Sequence, residues 1–155
     1  MIRTVIRPTL LAAALAAVGT AASAALPKAA VTDSYDDLAP YAQRADIVCT
    51  NNRGAVQFTV PSNARLVIDY VSTNVTLPAN GNATFLVASY LNGFEVEAHI
   101  PTVPQGIVLG TVVFAASAPM KMYADPNTVV TAVILSSTPD CGGIVGLVGH
   151  LVPVN

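Results

Sequence analysis

The sequence predicts an all-β chain, an antiparallel β-sandwich of jelly-roll or Greek-key type with about eight strands. Three observations carry that expectation. Short runs rich in Val, Ile, Thr and Ala follow one another from Asp46 onward, with no long stretch at helical spacing. Pro, Gly, Asn and Asp punctuate the runs at short intervals, as the turns of a sandwich require. Charged residues are only 10% of the 155, a composition of burial and not of disorder.

Residues 47–50 and 55–60 read as strands separated by the turn Asn51-Asn52-Arg53-Gly54. Pro61-Ser62-Asn63-Ala64 turns the chain into a third strand at 65–76, because proline presets the backbone angle of a turn. Pro78-Ala79-Asn80-Gly81 turns again into 83–91. Asn92-Gly93 then joins that strand to 94–100, and both residues tolerate the positive φ of a two-residue type I′ hairpin. Phe94, Val96, Ala98 and Ile100 alternate with Glu95, Glu97 and His99, which predicts one buried face and one wet face. Runs at 107–115, 120–124, 128–135 and 144–152 complete the set, with turns at Asp125-Pro126-Asn127 and Thr138-Pro139-Asp140. The last run is strongly apolar and belongs inside a sheet, since an edge would expose it.

The first 24 residues are set apart from this pattern. Arg3 and Arg7 precede a Leu, Ala and Val run, and Ala22-Ser23-Ala24 supplies the small-x-small pattern of a signal peptidase site, with cleavage between Ala24 and Ala25. The expected organisation is a signal peptide at 1–24, an N-terminal arm or linker at 25–45, and a β-sandwich domain at 46–155. The apolar run is too short for a permanent membrane span. The chain is therefore expected to be exported, to the periplasm or the medium. Asn74-Val75-Thr76 and Asn82-Ala83-Thr84 match the glycosylation acceptor pattern, and the bacterial type of the leader makes both chance matches.

Export decides how the two cysteines read. In an oxidising compartment Cys49 and Cys141 are expected to pair, closing a loop worth roughly 4–5 kcal/mol in the chain-entropy model. The alternative is a nucleophilic thiol at Cys141 with His99 or His150 as its base. A metal-thiolate site would need more ligands than the chain offers.

Beyond the leader the cations are Lys28, Arg44, Arg53, Arg65 and Lys121, scattered among nine acidic residues. Such a charge distribution lacks the footprint of a phosphate-binding surface, so no nucleic-acid partner is expected. Asp33, Asp36 and Asp37 cluster in the arm, but their spacing does not match an EF-hand calcium loop. Glu95, Glu97 and His99 form the candidate metal constellation, with neighbours about 7 Å apart on one strand face. They would need ligands from a second strand, and a solvated strand face explains them equally well. His150 lies in the final apolar strand and reads as a core or edge residue. Asp69 sits in an apolar strand, facing solvent or pairing with Arg65 or Lys121. Tyr70, Tyr90 and Tyr123 fall in strands and read as core or interface packing. The sugar-stacking aromatic of choice, Trp, is absent. No nucleophile elbow, phosphate-cradling loop or zinc-helix motif occurs.

Val60-Pro61-x-x-x-Arg65-Leu66-Val67-Ile68-Asp69-Tyr70-Val71-Ser72, Tyr123-Ala124-Asp125-Pro126 and Gly149-x-Leu151-Val152 resemble a pattern in uncharacterised bacterial exported proteins. The resemblance spans most of residues 55–152, implies a small β-sandwich and transfers no catalytic or ligand residues. These readings together lead to a non-enzymatic binding or structural module without a cofactor, its ligand or protein partner and its oligomeric state left open. The rival is a metal-dependent jelly-roll enzyme using Glu95, Glu97 and His99.

Overall fold

The computed structural model describes residues 38–154, in which nine strands alternate with short turns. They are β1 (Ala39–Val48), β2 (Arg53–Thr59), β3 (Ala64–Pro78), β4 (Ala83–Leu91), β5 (Phe94–Ile100), β6 (Val103–Val108), β7 (Thr111–Ala124), β8 (Val129–Ser136) and β9 (Gly142–Pro153). One sheet has the order β1-β9-β3-β7-β6 and the other β2-β8-β4-β5, every pair antiparallel. β1 pairs with β9, β2 with β8, β3 with β7 and β4 with β5, and the nested pairs fall alternately in the two sheets. That wrapping is a jelly roll, with β6 added at the edge beside β7. No helix among the described residues is long and apolar enough to cross a membrane.

The core lies between the inner faces. Leu66, Ile68, Val71, Val75 and Leu77 of β3 and Val145 and Leu147 of β9 are buried there. Phe85 and Val87 of β4 and Val130 and Ile134 of β8 supply the facing layer. Each such side chain contributes about 1.5–3 kcal/mol by leaving water. The buried polar groups are partnered: Thr73 Oγ1 donates to the Ile144 carbonyl (2.9 Å) and Ser89 Oγ to that of Tyr123 (2.8 Å). The second of these ties β4 to β7 across the two sheets. Tyr41 of β1 donates its hydroxyl to the Thr59 carbonyl, and burial pushes its phenol above the usual tyrosine range.

Cys49 and Cys141 form a disulfide, with Cα atoms 4.7 Å apart. It ties the end of β1 to the start of β9, the outermost pair of the nest, and no described cysteine is free for nucleophilic work. β9 runs between β1 and β3, as its apolar sequence demands. The arm at Asp33, Asp36 and Asp37 and the leader with its Ala24–Ala25 junction lie outside the described residues.

Four sequence readings are corrected. β1 begins at Ala39, inside the stretch read as an arm, because an edge strand shows Gln43, Arg44 and Asp46 to water and so reads as polar linker. The runs at 107–115 and 120–124 are not two strands: β7 continues through Pro119, whose partner Tyr70 sits at a register break in β3. Ahead of it β6 turns back at Leu109-Gly110, both with positive φ (49° and 77°), a hairpin that an apolar Leu conceals. Finally, Asn92-Gly93 makes its hairpin (φ 53° and 81°), but the strand after it is not buried along one face. Phe94 and Val96 are 75% and 41% exposed, and only Ala98 and Ile100 join the core. Alternation set the direction of those side chains without securing a cover for them.

Candidate functional site

The outer face of the five-stranded sheet carries two side-chain ion pairs and a pocket between them. β9, β3 and β7 lie side by side there, and their register puts His150, Val67 and Tyr123 in one row across three strands. Arg65 stands beside Val152 in the next row. Together with Leu38 and Lys121 these residues line a cavity of about 210 Å³. Val67, fully covered, is its apolar floor.

A β-bulge shapes this site. Pairing steps from Ile68–Gly149 to Tyr70–Val148 and leaves Asp69 out of the ladder. The buried positions change parity across it, from Leu66 and Ile68 to Val71, so Asp69 and Tyr70 both stand on the outer face. Asp69 Oδ2 lies 2.7 Å from His150 Nδ1, which orients the imidazole and leaves Nε2 as the nitrogen available to the cavity. On the other flank Arg65 donates from Nε and Nη2 to Asp125 Oδ1 at 3.1 and 2.9 Å. The second Asp125 oxygen accepts the backbone N–H of Asn92, and its own N–H donates to the Tyr90 carbonyl (2.8 Å). Asp125 therefore clamps three elements: the β4–β5 hairpin, the β7–β8 turn and β3.

Asp125→Ala should lower the unfolding free energy by about 1–3 kcal/mol, since it orphans a guanidinium and a backbone donor. Arg65→Ala should cost less, and the double variant should not be the sum of the two. Urea midpoints of the four proteins measure this; strict additivity would show that the ion pair is not the source of the effect.

Next to the pocket the same face forms a shallow furrow. Two depressions of about 390 and 300 Å³ share Ser72 and Thr73. Pro101, Val103, Gln105 and Ser117 border one, and Arg44, Asn74, Ile144 and Gly146 the other. The floor is low because Gly146, Ser72 and Ala115 are small. Tyr70, 39% exposed, stands in the row between furrow and pocket.

Other sequence candidates fall elsewhere. Glu95, Glu97 and His99 are exposed on the outer face of β5, an edge strand of the four-stranded sheet. Their cross-strand partners are Tyr90, Ala88 and Leu86, none a metal ligand, so the second strand that the constellation needed adds nothing. No group of three His, Cys, Asp or Glu able to hold a metal occurs among the described residues. His150 is not a core residue but the partner of Asp69, and Arg65 pairs with Asp125 instead of Asp69. Tyr123 lines the pocket, and Tyr70 and Tyr90 are partly exposed, so none of the three is a core residue.

Sequence reasoning missed Lys121 and Tyr123 as site residues. The one available signal was the broken alternation Leu66-x-Ile68-x-x-Val71, the mark of a bulge. The three stretches that carry the resemblance, on β3, β7 and β9, converge on this pocket. No protein-family model matches the chain, and no curated protein matches it.

Proposed function

We propose that this chain is an exported, non-enzymatic binding module that takes an extended ligand along the outer face of its five-stranded sheet. The observation that carries the reading is the continuous line of furrow, exposed Tyr70 and donor-lined pocket on one face. The inner face of that sheet is committed to the core, which leaves its outer face for recognition. Export is supported by the leader pattern before Ala25, by the disulfide and by the resemblance to exported β-sandwich proteins. The pocket lining of Leu38, Arg65, Val67, Lys121, Tyr123, His150 and Val152 combines polar groups with an apolar floor, a set suited to holding a ligand.

The test uses protein recovered from the periplasm or medium, expected to begin at Ala25. Envelope polysaccharide fractions titrated into it should shift backbone amide resonances of Ser72, Ser117 and Gly146. Ser117→Trp, which fills the furrow from an exposed position, should weaken that binding at least tenfold without changing the melting temperature. Shifts confined to the β5 face, or turnover of the added material, would sink the reading.

A further inference from the structure

The charge balance gives no reason to expect an anion site: nine acidic residues face seven cations in the whole chain. Yet the pocket beside Tyr70 gathers Arg65, Lys121 and His150, and no carboxylate lines it. Both nearby acids are paired with residues of the wall, Asp125 with Arg65 and the half-exposed Asp69 with His150. The wall therefore presents donors: a guanidinium whose Nη1 has no partner among the described residues, the Lys121 ammonium and the Tyr123 phenol. Lys121 is exposed and has no ion-pair or hydrogen-bond partner among the described residues. Two cationic donors and a phenol over an apolar floor are complementary to an oxyanion, and the guanidinium is held in place by its own carboxylate.

What carries the oxyanion follows from the surface next to it. The furrow lies on a sheet face, where the backbone groups of β9, β3 and β7 are engaged in ladders. A peptide adding itself as a strand would pair along the β1 or β6 edge and not lie across this face. The face offers side-chain hydrogen bonds instead, from Ser72, Asn74, Gln105, Ser117 and Arg44, with Tyr70 as the flat apolar surface. Hydroxyl-rich rings match that set, stacking on the aromatic and exchanging hydrogen bonds with the rest.

We infer that the Arg65–Lys121–Tyr123–His150 pocket holds the carboxylate or sulfate group of an acidic saccharide whose chain continues past Tyr70 into the furrow. This rests on the proposed ligand face and names what that face selects. In the assembled site Arg65 and Lys121 bind the anion, Tyr123 orients it, His150 walls the pocket where Asp69 holds it, and Asp125 positions Arg65.

Calorimetry on the exported, disulfide-bonded protein tests this with five probes: an oligogalacturonate, the same oligomer with its carboxyl groups reduced, a sulfated oligosaccharide, oligoglutamate and sodium sulfate. At least one charged saccharide is expected to bind, with the neutral oligomer at least tenfold weaker. Lys121→Gln should weaken the charged ligand roughly tenfold, the effect of one lost charged hydrogen bond, and leave the neutral one unchanged. Sodium sulfate should bind far more weakly than the sulfated oligosaccharide; equal affinity would reduce the site to a simple ion site and overturn the saccharide assignment. Equal binding of charged and neutral oligomers, with Ser117→Trp abolishing both, overturns the oxyanion pocket and leaves the ligand face standing. Tighter binding of oligoglutamate overturns the saccharide assignment. No binding of any probe, with Lys121→Gln and Ser117→Trp both silent, overturns the inference together with the reading beneath it.

Discussion

Replacing Cys49 and Cys141 by serine should lower the unfolding free energy by about 4–5 kcal/mol and the melting temperature by roughly 15 °C. The size follows from the loop. The bridged residues are 92 apart in sequence, so the crosslink removes closure entropy from nearly the whole unfolded domain. The native state gains nothing comparable from the sulfurs as contacts, because Cys49 already donates its N–H to the Cys141 carbonyl at 2.8 Å, a bond that serine keeps. The bridge also fastens the pair of strands that has the longest sequence separation and is therefore the last to be favoured by chance encounter. For a domain of this size the loss is a large part of the total stability, so the reduced chain should be marginal and the oxidised chain robust. Urea unfolding of the wild-type protein with and without reductant, beside the double serine variant, measures it. A loss below about 1 kcal/mol would mean that the unfolded chain is already constrained along this loop, and the entropic account would fail.

Sequence periodicity located β3, β4, β8 and β9, each flanked by strands on both sides, and divided β7, flanked the same way, at Pro119. β3 and β9 sit inside the sheet, and their apolar runs could not be placed elsewhere. The hairpin at Asn92-Gly93 was legible because its turn chemistry is local. What escaped was set by distant partners. β1 is polar because an edge needs only Tyr41, Ala45 and Ile47 to face inward. Pro119 looks like a strand breaker until the register break at Asp69 is placed opposite it. The candidate site was illegible for the same reason. Arg65, Lys121 and His150 are far apart in sequence and become neighbours only through the β9-β3-β7 order and its register. Period-two reasoning finds clusters within one strand, and so it found Glu95, Glu97 and His99, which face water at an edge.

Gly149→Ala should cost about 2–4 kcal/mol and should also disable the pocket. A Cβ at this position would stand 2.0 Å from the Val67 carbonyl oxygen, 3.0 Å from its carbon and 3.1 Å from Ile68 Cα. All three are backbone atoms of β3, a central strand held by ladders on both sides, so nothing flexible can give way. Relief requires β9 to move off β3 where Ile68 pairs with Gly149, one residue from His150 and beside the Asp69 bulge. The same strand supplies its own controls. At Gly146 the added carbon meets only the Ser72 hydroxyl at 2.9 Å, a group that can rotate, so alanine there should cost at most about 1 kcal/mol. At Gly142 nothing lies within 4 Å, and alanine should be neutral or slightly stabilising through the unfolded chain. Thermal melts of the three variants separate close approach from any general intolerance of β9 to side chains. Equal losses at all three positions would refute the close approach as the cause. A full loss at Gly149 alone, with the His150 ring resonances displaced in whatever fraction remains folded, would tie the glycine to the geometry of the Asp69–His150 pair. β9 approaches β3 closely enough to need that glycine, and the same approach brings His150 within reach of a carboxylate that the bulge has freed from the ladder.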